Sequence, residues 1–130
     1  MKRFVCVAML AAACAGIAAR ENVLMPALAV AWTDVVHGLV TLGIDANLQA
    51  GTIDPDQVIT VMGDASRMGA ALESGDRTQL IGIGWPALHG MALDGIRERL
   101  SREEISTGVA MSFAETVSQF DQRMLQLLAR

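Results

Sequence analysis

The sequence predicts an all-α protein, a bundle of four mostly antiparallel helices whose third helix is kinked or broken near Pro86. Apolar residues recur at helical spacing through most of the chain, and no run alternates apolar and polar residues as a half-buried strand does. Polar and glycine-containing segments divide these stretches into four and leave only short connections. Helices joined by short connections pack mostly as antiparallel neighbours.

The first residues predict the compartment. Lys2 and Arg3 precede an apolar run over residues 4–19, which Arg20 closes before it reaches the roughly 20 residues that a membrane-spanning helix needs. A charged start, a short apolar core and small residues are typical of a bacterial secretory signal. We therefore expect residues 1–13, or as far as 18 or 19, to be a signal peptide. Residues 14–21 would follow as a short tether, and residues 22–130 as the helical bundle domain.

The sequence at the end of this signal allows two alternative cleavage sites. The segment LAAAC, which ends at Cys14, resembles the bacterial lipoprotein box, in which small residues precede a cysteine that is lipidated and becomes the new N-terminus. This resemblance implies a lipid anchor on Cys14 and, because Ala15 follows where aspartate commonly retains lipoproteins at the inner membrane, a place at the outer membrane. The alternative is ordinary cleavage within residues 16–19, which would release a soluble periplasmic protein.

Composition narrows the possible partners. Without Lys2 and Arg3, eight arginines face fourteen acidic residues, a net charge of −6 that argues against nucleic acid and against attraction to anionic lipid. Cys6 and Cys14 are the two cysteines, so the domain after the signal has no disulfide. The six later methionines are not clustered, and we assign them to core packing rather than to copper binding.

Helix one is expected to begin at Asn22 or at Met25 and Pro26, and to end near residues 47–51. Asp34 and His37 lie at the centre of its otherwise apolar stretch, where a charge would be costly in a membrane, so we predict a largely buried soluble helix rather than a membrane span. Projected at 100° per residue, its polar residues share one arc that we assign to solvent: Asp34, His37, Thr41 and Asp45.

Helix two is expected to begin with a capping box at Asp54 and Gln57 and to run to about residue 73. Its predicted buried stripe includes Met62 and Met68, and Asp64 is expected to face solvent.

Glycines and Pro86 interrupt the third segment. We predict a short helix over residues 78–83, then a kink or break, and a further helix from Pro86. The sequence from Ser101 to Glu104 has the S-x-x-E form of a capping box, which predicts that helix four begins there and runs to about residue 128.

Candidate functional residues are few. Because residues 83–90 are the least regular stretch, Trp85, Pro86 and His89, together with Trp32, are our candidates for contact with a ligand or partner. No cysteine or third histidine accompanies the two histidines, so we predict no metal site. The sequence has no haem attachment motif, serine elbow or phosphate loop, and we predict no cofactor and no catalytic residue.

The two histidines belong to a faint internal echo. The pattern H-G-x-x-x-x-G-I begins at His37 and again at His89, and a tryptophan precedes each histidine by four or five residues. We interpret the echo as a chance match among common residue types. The alternative is a duplicated helical hairpin, which would put helices one and three in equivalent positions.

These observations predict an exported bacterial envelope protein, a lipoprotein of the periplasm and outer membrane that is not an enzyme. Its predicted role is that of a helical binding module for a protein partner in the envelope, with no oligomeric state implied. The alternative is a periplasmic carrier of a small ligand, with a pocket near Trp85 and His89.

Overall fold

The computed structural model of the protein describes residues 17–129, with side chains from residue 24 onward. The described residues form five α-helices and no strand, which confirms the all-α prediction. The predicted signal peptide and Cys14 lie outside the described residues, whereas residues 17–21 of the expected tether are helical. In chain order the helices are α1 at 17–50, α2 at Pro55–Ser74, α3 at Arg77–Ile81, α4 at Trp85–Ser101 and α5 at Thr107–Leu128.

Helix α1 is one continuous helix made of three segments. Ile17–Ala31 and His37–Ala50 are α-helical, and Trp32–Val36 between them is a π-helical turn. The helix already includes Ile17, the first described residue, which lies upstream of the predicted start; the alanines, arginine and glutamate of residues 18–21 are strong helix formers. Pro26 therefore lies inside the helix rather than at its first turn.

Within the described residues, one stretch of α1, Leu24–Ala50, is long and apolar enough to cross a membrane by length and composition. Leu28, Val36 and Val40 in this stretch are completely buried against other parts of the protein. Packing inside the protein thus accounts for part of its apolar character, and the choice between a core helix and a membrane span stays a prediction.

The connection from α1 to α2 follows the local sequence. Gly51 adopts a left-handed conformation with φ of 74°, and the N–H groups of Gly51 and Thr52 donate to the carbonyl oxygens of Leu48 and Asn47. This pattern is a Schellman motif, which glycine accommodates without a side-chain clash. The predicted capping box at Asp54 is confirmed, since both of its side-chain to backbone hydrogen bonds are present.

The break before Pro86 is also as predicted. Helix α3 begins after Asp76, whose pKa is lowered because the Thr78 hydroxyl and backbone N–H both donate to its carboxylate. After α3, Gly84 has φ of −75° and ψ of 68°, and the Trp85 N–H donates to the Ile83 carbonyl at 2.9 Å. This is an inverse γ-turn, which redirects the chain into α4.

The predicted capping box at Ser101 is wrong. Ser101 is the last residue of α4, and α5 begins at Thr107 with Ser106 as its N-cap. The segment instead closes α4 with a second Schellman motif, in which Glu103 is left-handed with φ of 58° and Glu104 N–H donates to the Arg99 carbonyl at 3.0 Å. Side chains of this turn also form ion pairs across it, such as Arg102 with Glu98 at 2.7 Å.

We expect Glu103→Gly to stabilise the protein by about 0.5–1 kcal/mol, because a left-handed backbone is strained for any residue with a Cβ atom. Urea unfolding followed by circular dichroism measures the change. Glu103→Ala is the matched control, since it removes the same carboxylate but keeps Cβ. Equal stability of the glycine and alanine variants would contradict the strained conformation.

The structure departs from the predicted burial at three polar or methionine positions. Asp64, expected to face solvent, is 7% exposed; it pairs with Arg67 and lies against Gly84, where a Cβ atom would be 3.1 Å from Asp64 Oδ2. Met62 and Met111 are exposed, so core packing does not explain either of them. The connection before α4 reaches across to α2 and covers the Asp64 side, which the periodicity of a single helix cannot predict.

The backbones of α1 and α4 approach each other closely. A Cβ atom on Gly43 would be 2.7 Å from the carbonyl carbon of Met91, and one on Gly95 would be 2.8 Å from the carbonyl carbon of Leu39. Only glycine permits this separation. Next to this contact, the Asn47 side chain donates to Asp94 Oδ2 at 2.9 Å and so links the two helices.

This contact relates two similar hairpins. We call residues 37–74, from α1 and α2, the first hairpin, and residues 89–126, from α4 and α5, the second hairpin. Their landmarks recur at a constant interval of 52 residues: the left-handed residues Gly51 and Glu103, the N-caps Asp54 and Ser106, and the contact glycines Gly43 and Gly95. The structure thus favours a duplicated hairpin over a chance match, and it puts helices one and three of the sequence prediction in equivalent positions.

Candidate functional site

The histidine that begins each hairpin stacks on a tryptophan that lies just before the hairpin in the sequence. The ring centroids of Trp85 and His89 are 5.6 Å apart at an interplanar angle of 24°, and those of Trp32 and His37 are 5.4 Å apart at 28°. The spacing in sequence differs by one residue, and the π-helical turn Trp32–Val36 absorbs that residue. The two pairs therefore occupy equivalent places although their tryptophans are not 52 residues apart.

The structure buries both candidate tryptophans and brings them together through a third ring. Trp85 is 1% exposed and Trp32 is 3% exposed. Phe120 of α5 packs between them, with centroid distances of 5.0 Å to Trp85 and 6.1 Å to Trp32. Pro86 is exposed on the first turn of α4 and His89 is half-buried. The four candidates are therefore parts of a core and its edge rather than one open surface.

A carboxylate from α5 completes the second pair. Trp85 Nε1 donates to Asp121 Oδ1 at 2.7 Å, and the same oxygen lies 3.9 Å from His89 Nδ1. The hydrogen bond satisfies an indole N–H that would otherwise be costly to bury. Sequence reasoning missed Asp121, since it lies 36 residues from Trp85 and is one of several acidic residues on amphipathic helices.

The first pair has no such carboxylate. Gly69 of α2 stands 52 residues before Asp121, and a Cβ atom on Gly69 would lie 3.2 Å from Trp32 Nε1. Glycine thus occupies the place where the second hairpin has its acceptor. This asymmetry is the clearest chemical difference between the hairpins.

The Trp85, His89 and Asp121 cluster joins two helices. A separation of 3.9 Å is too long for a hydrogen bond that would hold His89 in one orientation. Among the described residues, no group of three or more histidine, cysteine, aspartate or glutamate side chains could hold a metal ion. The cluster therefore fixes α4 to α5 through the indole.

A groove of about 380 Å³ lies at a different place, between the N-terminal part of α1 and the end of α2. Its lining consists of Met25, Pro26, Ala29, Leu72, Glu73, Ser74 and Gly75. None of the four candidate residues contributes to it. The ligand pocket expected near Trp85 and His89 by the carrier alternative does not coincide with this groove.

Exposed apolar side chains recur on the second helix of each hairpin. Ile59 on α2 is 70% exposed and Met111 on α5, 52 residues later, is 68% exposed. Met62 follows Ile59 on α2, and Leu125 lies farther along α5; both are exposed. A partner that covered such side chains would remove apolar area from water. We call Ile59, Met62, Met111 and Leu125 the outer apolar residues.

The outward side of α5 carries few charges. Its exposed residues include Ser112, Ser118, Gln119 and Gln122, with Glu115 as the exposed charged residue among those described on this helix. Depletion of charge with enrichment of methionine is typical of the centre of a protein interface.

No known protein family, curated protein or solved structure matches this chain.

Proposed function

We propose that this protein is a non-enzymatic binding module of the bacterial envelope, a helical bundle whose α5 contacts a protein partner. The observation that carries the proposal is the exposure of Met111 and Leu125 on an otherwise polar and largely uncharged helix face. A partner helix or groove that covers these two side chains removes apolar area from water, which favours association.

Export supports the choice of compartment for this partner. The charged start, the apolar run and the box that ends at Cys14 favour delivery to the periplasm, with a lipid on Cys14 as the membrane anchor. An anchor raises the local concentration of the module near envelope proteins without adding a contact. The burial of Trp85 favours the partner module over a carrier whose pocket would need that indole accessible.

We expect a photoreactive amino acid in place of Met111 to cross-link one defined envelope protein in cells of the native organism, and one in place of Arg97 to give no adduct. Arg97 is the matched control because it is exposed and lies on α4, a helix that carries none of the outer apolar residues. Mass spectrometry of the adduct identifies the partner. Equal adducts from both positions, or none from Met111, would contradict the proposed contact.

A second variant distinguishes binding from folding. Leu125→Glu is expected to weaken binding of the identified partner by about tenfold or more, because it puts a charge into the apolar centre of the contact. Since Leu125 is exposed, the urea midpoint of the free protein should stay unchanged.

The intact mass of the protein isolated from the same cells tests the lipid anchor, because a species that starts at Cys14 carries added acyl mass.

A further inference from the structure

We propose that Met111 is a site of oxidation, and that its conversion to methionine sulfoxide weakens the contact of α5 with its partner. The inference rests on the proposed function, because it assigns a redox control to the same surface. Three observations carry it: the exposure of this thioether, its position among the outer apolar residues, and a sulfur-free residue at the equivalent position of the first hairpin.

The six methionines after residue 24 differ in their access to solvent. Met111 is 68% exposed and Met62 is 44% exposed. Met91 is half-buried, and the Asn47 side chain donates to its sulfur at 3.4 Å. The remaining three are at most 2% exposed: Met25, Met68 and Met124. Because an oxidant must reach the sulfur atom, Met111 is the methionine that we expect to react first.

The reaction is a two-electron oxidation by a peroxide. The Met111 sulfur attacks one oxygen atom of hydrogen peroxide, the O–O bond breaks, and the products are the sulfoxide and one water molecule. The sulfur is oxidised and the peroxide is reduced. Since Met111 is exposed, the reaction requires no opening of the fold.

The position of Met111 gives this chemistry a consequence. Met111 and Leu125 are the exposed apolar side chains of the proposed contact, separated by about four turns of α5. A sulfoxide at Met111 is polar, and its oxygen would lose hydrogen bonds to water when an apolar partner covered it. Oxidation of methionine at an interface is a local change of this kind that shifts binding.

The first hairpin contains the natural comparison. Ile59, 52 residues before Met111, is 70% exposed on α2, and isoleucine has no sulfur to oxidise. Met62 is the second exposed methionine, but it lies on α2, so its oxidation leaves the α5 surface unchanged. Control of the α5 contact by peroxide is therefore expected to depend on Met111 alone.

The first test maps oxidation on the purified protein. Hydrogen peroxide is added to the folded protein, and mass spectrometry of proteolytic peptides gives the rate at each methionine. Met111 is expected to react about tenfold or more faster than Met68 and Met124, because these two are buried. In urea the rates should become equal. Equal rates in the folded protein would overturn the assignment of the site.

The second test measures the consequence for the partner in cells of the native organism. A photoreactive amino acid in place of Leu125 reports the contact and leaves Met111 intact. Hydrogen peroxide before illumination is expected to reduce the adduct about fivefold or more. Met111→Leu should keep its adduct under the same treatment, because leucine is apolar and of similar volume. Met62→Leu is the matched control and should lose its adduct as the parent does.

The outcomes separate this inference from the proposed function. An adduct that persists in the parent after peroxide, or that is lost equally in Met111→Leu, would overturn control by oxidation while the contact stands. No adduct from untreated cells would contradict the contact and with it the control. The oxidation rates of the purified protein decide the Met111 site in every case.

Discussion

Gly43→Ala is expected to destabilise the protein by about 3 kcal/mol, a large fraction of the stability of a domain of this size. The new methyl group would overlap the Met91 carbonyl, which is backbone and cannot rotate away. To accommodate it, α1 and α4 must separate and loosen the packing of Leu39, Val40 and Ile96 between them. Urea unfolding should show a midpoint lower by about 1–2 M with an unchanged slope.

The same helices supply the matched control. Gly38 lies on α1 and Gly90 on α4, and a Cβ atom at either would meet no other atom within 4 Å. Alanine there is expected to raise stability by up to about 1 kcal/mol, because it has the higher helix propensity. If Gly43→Ala behaved like Gly38→Ala, the close approach of α1 and α4 would be refuted. Gly95→Ala should lower the stability about as much as Gly43→Ala does, since the two glycines make equivalent contacts.

Phe120→Ala is expected to cost about 3–5 kcal/mol, the usual range for removing a fully buried phenylalanine. Phe120 is the ring that joins Trp85 to Trp32, so its removal opens a cavity where the two hairpins meet. Thermal unfolding should begin at a lower temperature, and the near-ultraviolet circular dichroism of the tryptophans should weaken at temperatures where the helical signal is intact.

Phe113→Ala is the matched control for the loss of stability in Phe120→Ala. Phe113 is on the same helix but only partly buried, and its ring lies under Arg99 at 5.9 Å. Its replacement should cost less than half as much and leave the near-ultraviolet signal of the tryptophans unchanged. An equal loss in both variants would show that the aromatic chain through Phe120 has no special place in the core.

The elements that local chemistry specifies could be predicted from the sequence. Asp54 and Gln57 cap α2 as expected, and the glycines before Pro86 break the third segment. Ser101 shows where such local signals are ambiguous. The same residues satisfy a capping box and the end of a helix, and the ion pairs of Arg102 favour the helix end.

The candidate site depends on contacts that no local pattern contains. Trp85, Pro86 and His89 could be singled out as an irregular stretch, but the burial of Trp85 depends on Phe120 and Asp121, which arrive from α5. Asp64 is buried for a similar reason, because the connection before α4 covers it. The internal echo relates Gly69 to Asp121 by an interval of 52 residues, but only the structure shows that Asp121 accepts from Trp85.

The pairing of Gly43 with Met91 and of Gly95 with Leu39 has a consequence for the origin of the chain. Because Leu39 corresponds to Met91 and Gly43 to Gly95, each hairpin presents the same surface to the other, which is the isologous contact of a two-fold symmetric dimer. Two separate chains, each with the sequence of one hairpin, would already have the two surfaces that this contact needs. Covalent fusion removes the requirement that the copies be identical. Asp121 and Gly69, at equivalent positions, show that the two hairpins of this chain differ in chemistry within a common architecture.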